Sequence, residues 1–226
     1  MGAFRDFPFG NGLPGERLPC GQSALHTFED NRPIRHWQTG LLLLETEMTR
    51  GKFSMNQVPV WFERKFDVSF PVELLPNLRA RLRGTPARLE EVFHGHSREV
   101  LTWKPQEKWS AQENAGHMFD LEPLWLARVG DYVAASSQLT AADLQNRKTD
   151  EAKHNERTLE EILAAFRAAR ERLLESVDGL DASLFARSIP HPRLKTPMRL
   201  ADHLYFVAEH DDHHLARIWE LVHTFS

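Results

Sequence analysis

A single cysteine, Cys20, in 226 residues excludes an intramolecular disulfide framework and, within one chain, a thiolate metal cluster. That scarcity fits a reducing compartment, so the expected location is the cytoplasm. Long apolar runs are also missing. The one at 40–44 falls far short of the roughly 20 residues of a membrane span. The first residues, MGAFRDFPFGNG, lack the basic-then-apolar order of a secretion signal. Lys and Arg number 28 against 32 Asp and Glu, a formal charge of -4, with no basic cluster. Neither nucleic acid nor an anionic membrane is therefore an expected partner. There is no Gly-x-Ser-x-Gly elbow for serine hydrolysis and no Gly-rich phosphate loop for a nucleotide cofactor. Finally, no stretch shows convincing strand alternation.

What is present is helical periodicity, in a chain whose 41% hydrophobic residues allow one core of ordinary size. Residues 1–54 hold seven of the twelve glycines and four prolines without a sustained period, and read as an irregular or flexible extension. The organised domain is expected over 55–226. Its first helix, marked by Leu74, Leu75, Leu78, Leu82, Leu89, Val92 and Phe93, is expected to break near Gly84-Thr85-Pro86, with Thr85 as cap and Pro86 at a new first turn. The second helix, over 109–133, has a capping box in Ser110 and Glu113. Its core stripe includes Ala111, Ala115, Met118, Trp125, Val129 and Val133, and Pro123 is expected to kink it. Residues 135–155 read as a long polar connection. Thr158 with Glu161 caps a third helix that Gly179 ends, and Thr196 with Pro197 is expected to open the fourth. The fold class is all-α, a four-helix bundle in which sites form between facing helices.

The fourth helix carries His203, His210, His213 and His214. At about 100° per residue, His210 and His214 stack on one side, roughly 40° apart, whereas His213 points further towards solvent. His203 lies near the angle of His210 but two turns away. Imidazoles at i and i+4 form a half-site for a transition metal; surface or capping roles are the plainer alternative. His117 falls on the flank of the second helix, where angle alone does not select it. Asp211 and Glu122 sit near the middle of apolar arcs, so each needs a partner, an imidazole or an arginine such as Arg217 or Arg128.

The segments WSAQENAGHMFDLE from Trp109 and EHDDHHLARI from Glu209 resemble the DinB superfamily of small metal-binding four-helix bundles, over residues 71–225. The resemblance implies that His117, His210 and His214 hold a divalent metal, zinc or nickel, with a coordination position left open. It further implies a metal-dependent transferase using a low-molecular-weight thiol, or a hydrolase, acting on a small molecule. The alternative is a non-catalytic metal-binding, stress-response dimer; a weaker one is an ion that only ties two helices together. Glu113, one turn before His117, is a candidate catalytic base, fourth ligand or orienter, against its plain role in the capping box. His203, His213 and His223 are expected to be non-ligands, and Trp109, Trp125 and Trp219 to be core or pocket wall. A homodimer is expected, to which aromatics near Trp61 and Phe62 would contribute.

Overall fold

The computed structural model describes residues 58–106 and 108–225, all within the unit Arg50–Ser226. The extension expected over 1–54, with Cys20, lies outside the described residues. Four long helices, α1 Leu75–Phe93, α3 Ala111–Ala134, α5 Leu159–Asp178 and α6 Leu200–Phe225, form the bundle, joined by short helices α2 Arg98–Thr102 and α4 Arg147–Glu151. α1 and α3 each pack against both α5 and α6. None of the described helices is long and apolar enough to cross a membrane.

Two of these helices start where their caps dictate. The Ser110 side chain accepts from Glu113 N while the Glu113 carboxylate accepts from Ser110 N, and Thr158 and Glu161 repeat the reciprocal pair. Each box satisfies two of the four N–H groups that a helix start leaves unpaired.

Two expectations are corrected. α1 runs unbroken through Gly84, Thr85 and Pro86. Pro86 lacks the N–H that Leu82 O would accept, but the Arg170 guanidinium reaches across from α5 and donates to that carbonyl at 3.2 Å. The lost bond is replaced from another helix, so the break has no driving force. The second correction concerns Thr196 and Pro197. Pro197–Arg199 is a strand, β2, paired antiparallel with β1 Ser188–Pro190, and α6 begins only at Leu200. Asp202 in the first turn accepts from Arg199 N at 3.2 Å and from Phe70 N at 2.9 Å, which fastens the chain ahead of α1 to the start of α6.

The core is divided. One apolar cluster holds Leu78 and Leu82 of α1, Trp125 and Val129 of α3, Leu173 and Val177 of α5, and Leu204 and Val207 of α6. The other holds Leu89 and Phe93, Ala115 and Met118, Ile162 and Phe166, and Ile218 and Val222. Between them each helix contributes a buried polar residue to one hydrogen-bonded layer: Thr85, Glu122, Arg170 and Asp211. Arg170 donates to Glu122 Oε1 at 2.6 Å and to Asp211 Oδ1 at 3.0 Å, and Thr85 Oγ1 donates to Asp211 Oδ2 at 2.8 Å. The partner that Glu122 and Asp211 require is thus Arg170, not Arg128 or Arg217. Burial pushes the Glu122 carboxyl above its ordinary range in spite of Arg170. Burial also opposes the charge on Arg170, but Asp211 and Glu122 outweigh it and hold the guanidinium protonated.

Candidate metal centre

His117 projects from the second turn of α3, and His210 and His214 from adjacent turns in the middle of α6. All three are buried, and one ring nitrogen from each lies within 4.8 Å of the others. His210 Nε2 and His214 Nε2 are 3.2 Å apart. Nitrogens bound to one tetrahedral ion at 2.0–2.1 Å lie about 3.4 Å from each other, so this pair already has a chelating spacing.

Surrounding groups decide which nitrogen His214 and His117 offer. Asn114 Nδ2 donates to Ser110 O at 2.8 Å, so its Oδ1 faces His214 Nδ1 at 2.9 Å and accepts from it. That leaves the lone pair of His214 on Nε2. His117 Nδ1 lies 3.0 Å from Thr149 Oγ1, which in turn donates to Asp120 Oδ2 at 3.0 Å. A hydroxyl has one proton to give. With that proton on Asp120, Thr149 accepts from His117 Nδ1 and the His117 lone pair is on Nε2. Asp120 stays ionised and able to accept. Burial opposes its charge, but hydrogen bonding from His154 and Thr149, with Lys148 nearby, holds it below the ordinary carboxylate range. Such outer partners orient metal-binding imidazoles.

Asn114 and Asp120 belong to α3 itself, whereas Thr149 and His154 come from the polar connection after it. Asn146 and Lys153 adopt left-handed backbone, φ 54 and 51, on either side of α4, and turn Thr149 and His154 towards α3. His154 Nε2 meets Asp120 Oδ2 at 2.8 Å. Its ring lies so close to α3 that a Cβ at position 116 would come within 2.2 Å of it. Gly116, one residue before His117, is required by that approach. None of Asn114, Asp120, Thr149 and His154 stands out in the sequence pattern; the one local signal is a glycine in a helix interior, where it costs about 1 kcal/mol.

Burial sets the charge state. His117 is pulled down to about 4 by desolvation, which nearby Asp120 only partly offsets. His210 and His214 lie well below the ordinary histidine value for the same reason. All three are neutral at neutral pH, the form that ligates a metal.

The centre opens onto a cavity of about 570 Å³, whose lining includes His117, His210, His213 and His214. Its apolar wall includes Trp125 and Phe206, and Trp61 from the segment ahead of α1, whose ring centroid is 5.1 Å from that of His210. Trp61 is therefore spent within this chain, whereas Phe62 stays exposed. Trp109 and Trp125 line the cavity as expected, but Trp219 is exposed and stacks on His223. His213 lies outside the ligand cluster yet faces the cavity rather than solvent, 5.3 Å from Trp61 and held near 4 by burial. His203 is fully buried beside Trp125 and Tyr132. Glu113 does not line the cavity: one carboxylate oxygen accepts from Ser110 N and the other from Lys104 Nζ, each at 2.9 Å.

Fold and site together define a four-helix bundle with a three-histidine centre suited to a divalent metal. The chain belongs to the DinB superfamily, whose family model matches residues 81–218. Among solved structures it is similar to YfiT from Bacillus subtilis, described as a probable metal-dependent hydrolase with an unusual four-helix bundle topology. The likeness has 20% identity and a TM-score of 0.63, and covers 72% of this chain and 94% of that one. No curated protein matches the sequence.

Proposed function

We propose that the protein is a metal-dependent enzyme acting on a small molecule, a hydrolase or a transferase that uses a low-molecular-weight thiol. His117, His210 and His214 hold the divalent ion. The observation that carries this reading is that the three imidazoles converge on the wall of a cavity of about 570 Å³, within the range of small-molecule sites, rather than inside a sealed core. A purely structural ion needs no such opening. The description of the similar Bacillus protein favours the same class.

When bound, zinc or nickel supplies a Lewis acid that acidifies a water or thiol near neutral pH. The chain's own groups do the rest. Asn114 and the Asp120–Thr149 pair keep Nε2 of His214 and His117 free of protons. Trp61, Trp125 and Phe206 exclude bulk water and strengthen electrostatic interactions at the centre. His213, a neutral imidazole on the same cavity, takes the proton-accepting role considered for Glu113.

The test is a rate comparison. Protein loaded with zinc or nickel is offered panels of small esters, amides and lactones, and thiols with electrophilic co-substrates; chelated protein and His213→Ala serve as controls. The reading predicts turnover that vanishes on chelation and falls about 10²–10⁴-fold in His213→Ala, with metal retained. Stoichiometric metal without turnover on any panel would favour the non-catalytic metal-binding reading.

A further inference from the structure

Besides the histidine centre, the same cavity is lined by Arg128, His191 and Arg193. These three differ from the buried Arg170 and from the partly buried arginines of the bundle. Arg170 is paired with Glu122 and Asp211, Arg81 with Glu209 and Asp212, Arg64 with Glu209, and Arg199 with Asp202. Arg128 is 2% exposed, and its hydrogen bond among the described residues runs from Nε to Thr140 O at 2.9 Å, with no carboxylate accepting from it. The nearby Asp131 carboxylate is engaged by Thr140 N at 2.6 Å. The buried Nη2 of Arg193 has no hydrogen-bond partner among the described residues, and its guanidinium sits 5.3 Å from the Phe62 ring. His191, also 2% exposed, accepts from Arg193 N and Leu194 N on Nδ1, which places its proton on Nε2, unpartnered among the described residues. The acidic residue lining this cavity, Asp143, is turned to its own loop, where it accepts from Arg147 and Gln145 N.

A buried guanidinium without a carboxylate loses hydration and recovers little. The buried Arg128 guanidinium, the buried Nη2 of the partly exposed Arg193 and the His191 N–H, on the wall of one cavity, form a set of donors that lacks its acceptor among the described residues. We propose that Arg128, Arg193 and His191 form an anion-binding subsite, and that the substrate is a small molecule carrying a carboxylate or phosphate group. The proposal rests on reading the cavity as the substrate site and adds what that substrate must carry.

The spacing suits it. Arg128 lies eleven residues after His117 on α3, nearly the same helical angle and about 16 Å along the axis, and its side chain leans back towards the helix start. The Trp125 ring lies between the two sites, 5.6 Å from the His210 ring and 5.4 Å from the Arg128 guanidinium carbon. The Arg128 guanidinium carbon and the His210 ring are thus no farther apart than these two spans laid end to end. A compact acid of a few carbons bridges that distance, and guanidinium forks match its oxyanion geometry.

The experiment titrates succinate and inorganic phosphate, with uncharged succinamide as control, into the protein at constant ionic strength, read by calorimetry and by tryptophan fluorescence. It is run on metal-loaded protein, on chelated protein and on His214→Ala. Saturable binding of at least one anion but not of the amide is expected in all three, because the subsite does not need the ion. Affinity is expected to fall about tenfold or more in Arg128→Met and in Arg193→Gln. The half-exposed Arg193 tests the idea without disturbing the core. Anion binding lost on chelation would place the anion on the metal and overturn the subsite while leaving the metal reading intact. Unchanged affinity in both arginine variants, or equal binding of succinamide, would overturn it too. Binding that persists in a protein that takes up no metal would support the subsite and refute the metal reading.

Discussion

His117 illustrates how much of a site rests on residues that do not touch the ligand. Its position on a flank of α3 carries little information, and only likeness to a family selects it. Its useful tautomer is set by Thr149 and Asp120. Thr149→Val should therefore keep the fold but weaken metal affinity about 10–100-fold, measured by competition with a chromogenic chelator; equal affinity would remove Thr149 from the account. Gly116 yields a prediction of sign. In an unobstructed helix, Gly→Ala stabilises by about 1 kcal/mol. Here the new methyl meets the His154 ring at 2.2 Å, so Gly116→Ala should destabilise by about 1–3 kcal/mol in urea titrations. A gain in stability would show that His154 can move aside freely. His210 and His214 were legible from angle alone because both lie on one regular helix. Asp120, Thr149 and His154 were not, because their roles depend on a connection with no period, and Asn114 was not, because its partner His214 lies on another helix.

At the scale of elements, what was legible had a local cause. Both capping boxes stand where their residues predict, since each is complete within four residues. The break at Gly84 was expected on equally local grounds, and it fails because the carbonyl freed by Pro86 is satisfied by Arg170 on another helix. Strands β1 and β2 are three residues each, too short for alternation to register. Arg170 thus serves two carboxylates and one carbonyl at once. Arg170→Met should cost about 3–5 kcal/mol, because Glu122 and Asp211 are left buried without a counter-charge. Arg167→Met, which removes an exposed pair with Glu90, should cost under about 1 kcal/mol. Similar losses in the two variants would mean that the buried layer is not a tie between helices.

In the whole molecule, the layer of Thr85, Glu122, Arg170 and Asp211 splits the core in two, and the histidine centre lies at its edge: Asp211 follows His210 directly. Bundle architecture was legible because four apolar stripes, two of them opened by capping boxes, fix the number and order of the long helices. The cavity was not, since Trp61 from ahead of α1 and His191 from the β1–β2 turn complete it from distant sequence. Burial of neutral histidines also shapes the pH response. His117 titrates near 4 in the fold against about 6.5 in the open chain. The unfolded state therefore binds more protons across that window, and the stability is present above about pH 6.5 and lost as pH falls towards 4. Urea midpoints of chelated protein should drop between about pH 6.5 and 5, with His117 alone contributing a slope of about 1.4 kcal/mol per pH unit. A flat response would mean that these imidazoles are solvated.

Metal content tests the central claim most directly. Wild type, His117→Ala and His213→Ala, purified after exposure to zinc and nickel, are to be analysed by plasma mass spectrometry. About one equivalent of divalent metal is expected in wild type and in His213→Ala, and none in His117→Ala. Metal retained by His117→Ala, or absent from wild type, would contradict a centre shared between α3 and α6.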